Sequence, residues 1–141
     1  MYKLTRNSLP GILYGAVILV LVGLPGSCFP TVQTFWDWLG PDKIVHLVMF
    51  AGFVFVCLWG YRRRYAENDK PYRRKAEVVS LTIGIAYSGL TELLQGTVFI
   101  GRYCSLYDFY ADSLGCVIGL LVFKLYAKLM LTKKDLQNPP R

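Results

Sequence analysis

Residues 7–36 read NSLPGILYGAVILVLVGLPGSCFPTVQTFW and contain no charged side chain. A bilayer core of about 30 Å is crossed by roughly 20 helical residues, fewer where flanking side chains snorkel, so this stretch is long enough to span. A second block, 44–61, is interrupted only by His46; a third, 78–101, only by Glu92; a fourth, 106–131, carries Asp108, Asp112, Lys124 and Lys128. The whole chain has 141 residues, 54% of them hydrophobic and 15% aromatic. A soluble domain is also close to half apolar, so the arrangement into blocks carries the argument, not the total.

The pattern predicts an all-α polytopic membrane protein with four transmembrane helices, approximate spans 9–28, 44–61, 77–97 and 106–131. They form a single domain over residues 1–135, followed by a polar tail, 136–141. A soluble bundle of this size would need four helices apolar nearly all round and would have little polar surface left.

The net charge of +7 raises the question of a nucleic-acid partner, and the positions of the basic residues answer it. With both termini cytoplasmic, Lys3, Arg6, the cluster Arg62, Arg63, Arg64, Lys70, Arg73, Arg74, Lys75, and then Lys124, Lys128, Lys133, Lys134 and Arg141 fall inside. Only Lys43 and Arg102 of the 16 basic residues fall outside. That asymmetry is the positive-inside rule. The basic run therefore reads as a topology signal that also attracts anionic membrane lipids, worth about 1 kcal/mol per residue near the surface, with no nucleic acid implied. Residues 61–75 read as a charged loop. Trp36, Trp38, Trp59, Tyr61 and Tyr65 fit interfacial aromatic belts.

Lys3 and Arg6 before an apolar stretch also resemble a signal peptide, but Pro25 and Gly26 sit poorly in a cleavage site, so an uncleaved first helix is expected. Cys28, Cys57, Cys104 and Cys116 have no paired spacing of the metal or redox kind; a Cys28–Cys104 bridge is chemically permitted on the outer side. No Walker, dinucleotide or HExxH motif is present, and no cofactor is assigned.

The acids carry the functional signal. Asp37, Asp42, Glu92, Asp108 and Asp112 lie outside or in the outer half of a span. Asp42 and Lys43 fall four and three residues before His46, on one helical face. Gly84, Ser88, Glu92 and Gln95 form a stripe on the third helix, and Asp108, Asp112, Gly115 and Gly119 one on the fourth. Gly115 and Gly119 are a GxxxG pair, which lets helices approach closely. At about 1.5 Å per residue the stripes reach the same depth, within about 10 Å of the outer interface. Ionisable groups facing lipid cost about 2.5 to 3.5 kcal/mol, so these should face one another inside the bundle.

Asp42-Lys43-Ile44-Val45-His46, Glu92-Leu93-Leu94-Gln95, and Arg102, Ser105, Asp108, Asp112, Gly115 and Gly119 in this order resemble the VanZ-like membrane proteins. The resemblance covers about residues 42–119. It implies several membrane helices, a place in the bacterial cell envelope and a link to antibiotic resistance, because the founding member is associated with resistance to the glycopeptide teicoplanin. It places motif positions on Asp42, Lys43, His46, Glu92, Gln95, Arg102, Asp108, Gly115 and Gly119. Asp112 is a departure, since the family pattern usually has Asn there; an amide donor is lost and a negative charge gained.

Several readings of the cluster stay open at this level. One is binding or modification of an amphiphilic or lipid-linked envelope molecule at the extracytoplasmic face of an inner or plasma membrane. Arg102 and Lys43 would contact phosphate or carboxylate, with Asp42, Gln95 and Asp108 around them. In an enzymatic version His46 with Glu92 or Asp112 acts as catalytic acid and base. Ser105 is a conceivable nucleophile but a more ordinary helix N-cap. A metal version would gather His46, Glu92, Asp108 and Asp112; with one His and no close-spaced ligand pair, no metal is assigned. Non-catalytic alternatives are a network that fixes helix register, and a transporter or proton relay. The latter would need an oligomer, because the inner halves of the second and third blocks offer no charged path.

Overall fold

A computed structural model describes residues 2–24, 41–98 and 105–137, with side chains described for 7–24, 43–98 and 105–130. Five helices follow in order: α1 (Tyr2–Gly23), α2 (Pro41–Gly60), α3 (Arg62–Glu67), α4 (Lys70–Thr97) and α5 (Leu106–Gln137). No strand occurs among the described residues. Lys43–Gly60, Lys70–Thr97 and Leu106–Met130 are each long and apolar enough to cross a membrane, and Asn7–Gly23 is a shorter apolar helix.

The polarity of α4 is inverted relative to a helix of a soluble protein. On α4 the buried residues are Gly84, Ser88, Thr91, Glu92 and Gln95. Val78, Val79, Ile83, Leu90 and Leu93 of the same helix are exposed, as are Ile12, Val20, Val48, Leu121 and Leu125 elsewhere. An aqueous fold would reverse that arrangement; a lipid-exposed one requires it, because hydrocarbon tails solvate leucine as well as a protein core does.

The helix α2 lies at the centre and packs against α1, α4 and above all α5. Phe50, Phe53, Val54 and Leu58 of α2 form the core with Ile18 and Val22 of α1, Tyr65 of α3, and Cys116 and Phe123 of α5. Helix axes come close where side chains are missing. A Cβ on Gly115 would meet the backbone of Leu47, with its carbonyl carbon 3.0 Å away, and a Cβ on Gly119 would meet that of Ala51, with its Cα 3.0 Å away. The sequence-predicted GxxxG pair therefore forms the α2–α5 contact. A second such pair, Gly11 and Gly15, faces Cys57 and Phe53 on α2. In the sequence it lies within a uniformly apolar run, with no charged residue to set one face apart.

Segment 61–75 is more ordered than the predicted charged loop. It contains α3 and the first turns of α4, so α4 begins at Lys70, not residue 77. The physical reason is local capping. Asp69 accepts a hydrogen bond from the Tyr72 N–H at 3.3 Å, and Pro71 sits in the first turn, where no backbone donor is needed. Arg73 donates to the carbonyls of Tyr65 (2.9 Å) and Ala66 (3.2 Å) at the end of α3, a favourable position for a cation. Helix α1 covers 2–23 and so starts before the expected span 9–28, whose last residues 25–28 lie outside the described residues, and α5 continues to Gln137, into the segment read as a polar tail from 136. Helical hydrogen bonding does not stop where the hydrocarbon does. Trp36, Trp38, the Cys28–Cys104 pair and residues 138–141 lie outside the described residues.

Tyr65, read as an interfacial anchor, is buried and tied to the bundle. Its hydroxyl donates to Glu77 Oε1 at 2.5 Å, and Lys124 of α5 donates to Glu77 Oε2 at 3.2 Å. Desolvation, then the hydrogen bond to and the charge of Glu77, push the Tyr65 phenol up to about 12 from 10.0. Because the folded value is the higher, this contribution is complete below pH 10 and disappears as pH rises toward 12. Tyr65→Phe is expected to lower stability by about 1–2 kcal/mol near neutrality. The same substitution should remove one high-titrating phenol from an ultraviolet titration. An unchanged titration would show that Tyr65 is not held in this way.

Candidate functional site

Three helix termini meet at one end of the bundle: the start of α2, the end of α4 and the start of α5. His46, Glu92 and Asp112 lie five or six residues in from those termini, a depth of about 8–9 Å at 1.5 Å per residue. Their side chains converge, as the sequence stripes predicted. His46 Nδ1 is 3.1 Å from Asp112 Oδ1 and 4.0 Å from Glu92 Oε1. Ser88 donates to Asp112 Oδ2 at 2.9 Å. The Ser105 backbone N–H donates to Glu92 Oε2 at 2.9 Å, tying the end of α4 to the start of α5.

Burial makes this arrangement consequential. His46, Ser88, Thr91, Glu92, Gln95 and Asp112 are between 0% and 4% exposed. In such surroundings a carboxylate oxygen that lacks a partner is costly, of the order of 1–3 kcal/mol or more. Glu92 Oε1 is buried and has no hydrogen-bond partner among the described residues. It faces His46 without reaching it. The two carboxylates are close enough that one donor atom from each, with one from His46, falls within 4.8 Å of the others.

Not every predicted site residue joins the cluster. Gln95 is buried beside it on α4. Lys43 is half-buried in the first turn of α2, and Asp108 is half-buried in the first turn of α5. Asp108 contributes its backbone, whose N–H donates to Ser105 Oγ at 3.3 Å. Ser105 thus caps α5, and its hydroxyl is engaged as a helix cap. The side chain of Asp42, and Arg102 entirely, lie outside the described residues. Ser88 and Thr91 were not assigned chemical roles from the sequence, although Ser88 lay on the α4 stripe. Thr91 donates to the Ser88 carbonyl at 2.8 Å and fills the same face.

From the cluster toward Glu77 the buried interior is Phe50, Phe53, Val54, Leu58, Cys116 and Phe123, without an acidic, basic or histidine side chain among the described residues. A groove of about 550 Å³ lies at the far end of α4, lined by Lys70, Pro71, Arg74, Lys75, Val78 and Val79. It is remote from the polar cluster, where the convergent chemistry is.

A family model described as VanZ/LLP1 matches residues 11–127. Among curated proteins, the chain is similar to an uncharacterized protein of Schizosaccharomyces pombe (strain 972 / ATCC 24843), 30% identical over 97 residues. The aligned region is 69% of this chain and 55% of that protein, so the chain spans about half the length of its relative. No solved structure matches.

Proposed function

Because the chain belongs to the VanZ/LLP1 family of membrane proteins, we propose that its polar cluster holds the head of an amphiphilic or lipid-linked molecule at the extracytoplasmic membrane face. The observation that carries this reading is the unpartnered, buried Glu92 Oε1 beside His46 and Asp112. A purely structural network gains most when every member is satisfied; one left open toward its neighbours is suited to an incoming group. The exposed apolar faces of α4 and α5 give the tail of such a molecule a continuous path in lipid, while its head enters among the three termini. Lys43 and Arg102 supply cationic contacts for phosphate or carboxylate. His46, oriented by Asp112, is the acid or base if the head is modified as well as bound.

Orientation follows from charge. Arg62 to Lys75, Lys124 and Lys128 lie toward the end of the bundle opposite the cluster, and by the positive-inside rule this supports reading that end as cytoplasmic and the cluster as extracytoplasmic, in an inner or plasma membrane. The groove lined by Lys70, Arg74 and Lys75 then faces anionic lipid heads. In a bacterial envelope the ligand would be a lipid-linked precursor, and its capture would alter teicoplanin susceptibility. Similarity to a fission-yeast protein supports defining the ligand by its chemistry rather than as one bacterial precursor.

The test is an expression-matched set, His46→Ala, Glu92→Gln and Arg102→Ala, in a Gram-positive host, with fold checked by thermal unfolding. Wild type is expected to raise teicoplanin resistance and to retain a co-purifying amphiphile on mass spectrometry; each folded variant should fall to the vector level in both. Folded variants that keep wild-type behaviour would overturn the site. The second reading, a network fixing helix register, is supported by the bonds that link α2, α4 and α5 through Asp112. It predicts loss of folding in all three variants with no separate loss of ligand.

A further inference from the structure

We propose that His46, Glu92 and Asp112 form a binding site for one divalent transition-metal ion, zinc or manganese. The inference deepens the headgroup reading and rests on it only for what occupies the open side of the ion. One imidazole and two carboxylates are a donor set that suits these metals, and three protein ligands leave a position free for another group.

The geometry is close to what such an ion requires. With metal–ligand bonds of about 2.0–2.2 Å, neighbouring donor atoms stand about 3.0–3.5 Å apart. His46 Nδ1 and Asp112 Oδ1 are already at 3.1 Å. Glu92 Oε1 stands 4.0 Å from the same nitrogen and has to approach by less than about 1 Å, a small side-chain rotation. It has no hydrogen bond to give up among the described residues, and the residue is 3% exposed. Its other oxygen is anchored by the Ser105 N–H, which aims Oε1 inward.

Outer contacts of the kind that fix metal ligands are also present. Ser88 donates to the second Asp112 oxygen at 2.9 Å and so sets the carboxylate plane. Electrostatics point the same way. Two carboxylates this close in a poorly polarisable interior call for positive charge beside them, and among the described residues their ion-pair contact is His46 alone.

The experiment uses the full-length protein in lipid nanodiscs, treated with chelator and then titrated separately with Zn2+ and Mn2+ salts, reading bound metal per protein and the thermal midpoint. Wild type is expected to bind one equivalent of one of these ions and to melt at a higher temperature with it. Glu92→Gln and Asp112→Asn should each weaken binding at least about 10- to 100-fold, the range seen when a ligand is merely mispositioned. Ser88→Ala should weaken it within that range and also lower the metal-free midpoint, because a buried oxygen of Asp112 loses its donor. A purely structural hydroxyl would lower the midpoint without weakening metal binding. Glu77→Gln, at the far end of the bundle, should bind as wild type does.

Folded wild type with no stoichiometric metal and no thermal shift would overturn the proposal, even if the variants fail to fold. Unaltered binding by both ligand variants would also overturn it. Metal bound without any amphiphile would defeat the headgroup reading alone; amphiphile retained by metal-free protein that takes up neither ion would defeat the metal site alone.

Discussion

Gly119→Leu is expected to unfold the bundle at its α2–α5 seam, and Gly115→Leu to do nearly the same. A Cβ alone at Gly119 would stand 2.9 Å from the Ala51 carbonyl carbon and 3.0 Å from its Cα. These are backbone atoms, so they cannot turn aside as a side chain can. Overpacking a well-filled interface costs about 1–3 kcal/mol, occasionally more, and here the whole helix must move. Because α2 also holds α1 and α4, its displacement spreads through the structure. Alanine at either position should cost less than leucine. Gly89→Ala is the control: its Cβ would lie 3.7 Å from Phe109 Cε2, an ordinary contact, and alanine gains up to about 1 kcal/mol in helix propensity. Denaturation midpoints in detergent should rank Gly89→Ala at or above wild type and Gly119→Leu lowest. Equal midpoints for all would show that α2 and α5 are not in close contact.

The second large effect is expected for Asp112→Ala. It removes the acceptor for Ser88 and for His46 together, in surroundings that are 0% exposed. Breaking a buried charged network in a water-soluble protein costs about 3–5 kcal/mol. Hydrogen bonds between membrane helices average only about 0.6 kcal/mol, with a maximum near 1.7, because the helices find other partners when separated. Two bonds to a carboxylate therefore suggest about 1–3 kcal/mol. Asp112→Asn keeps the shape and an acceptor oxygen, so it should cost under about 1 kcal/mol. A midpoint for Asp112→Ala equal to that of Asp112→Asn would mean that the carboxylate does not organise its neighbours.

The polar stripe on α4 was legible because Gly84, Ser88, Glu92 and Gln95 recur at helical spacing against a background of Val, Leu and Ile, and all four are buried. His46 and Asp112 could be assigned to the same depth by counting residues from the ends of their blocks. What counting did not supply was membership. Asp108 sits on the same stripe as Asp112, yet it contributes a backbone N–H to the Ser105 cap and its carboxylate is absent from the close set. A difference of one helical turn separates a carboxylate at the rim from one inside.

The other differences have similar local causes. Arg62 to Lys75 read as a loop because charge dominates it, but charge did not prevent a turn of helix once Arg73 satisfied the α3 carbonyls and Asp69 capped α4. Tyr65 looked like an interfacial aromatic because such residues commonly end a span. Its burial depends on Phe123 and Glu77, 58 and 12 positions away, with the Phe123 ring centre at 5.1 Å.

By itself the sequence pointed to helices in hydrocarbon and to a difference between the two ends. Long uncharged blocks in hydrocarbon satisfy their backbone polar groups as helices, and the distribution of 16 basic residues along the chain sets up an expected asymmetry between the ends. Both are properties of composition along a line. The tertiary structure decided which polar groups meet. Rotation of each helix about its axis is fixed by close contacts such as Gly115 on Leu47 and Gly119 on Ala51, and that rotation brings Asp112 to within 3.1 Å of His46 and leaves one oxygen of Glu92 unpartnered beside them.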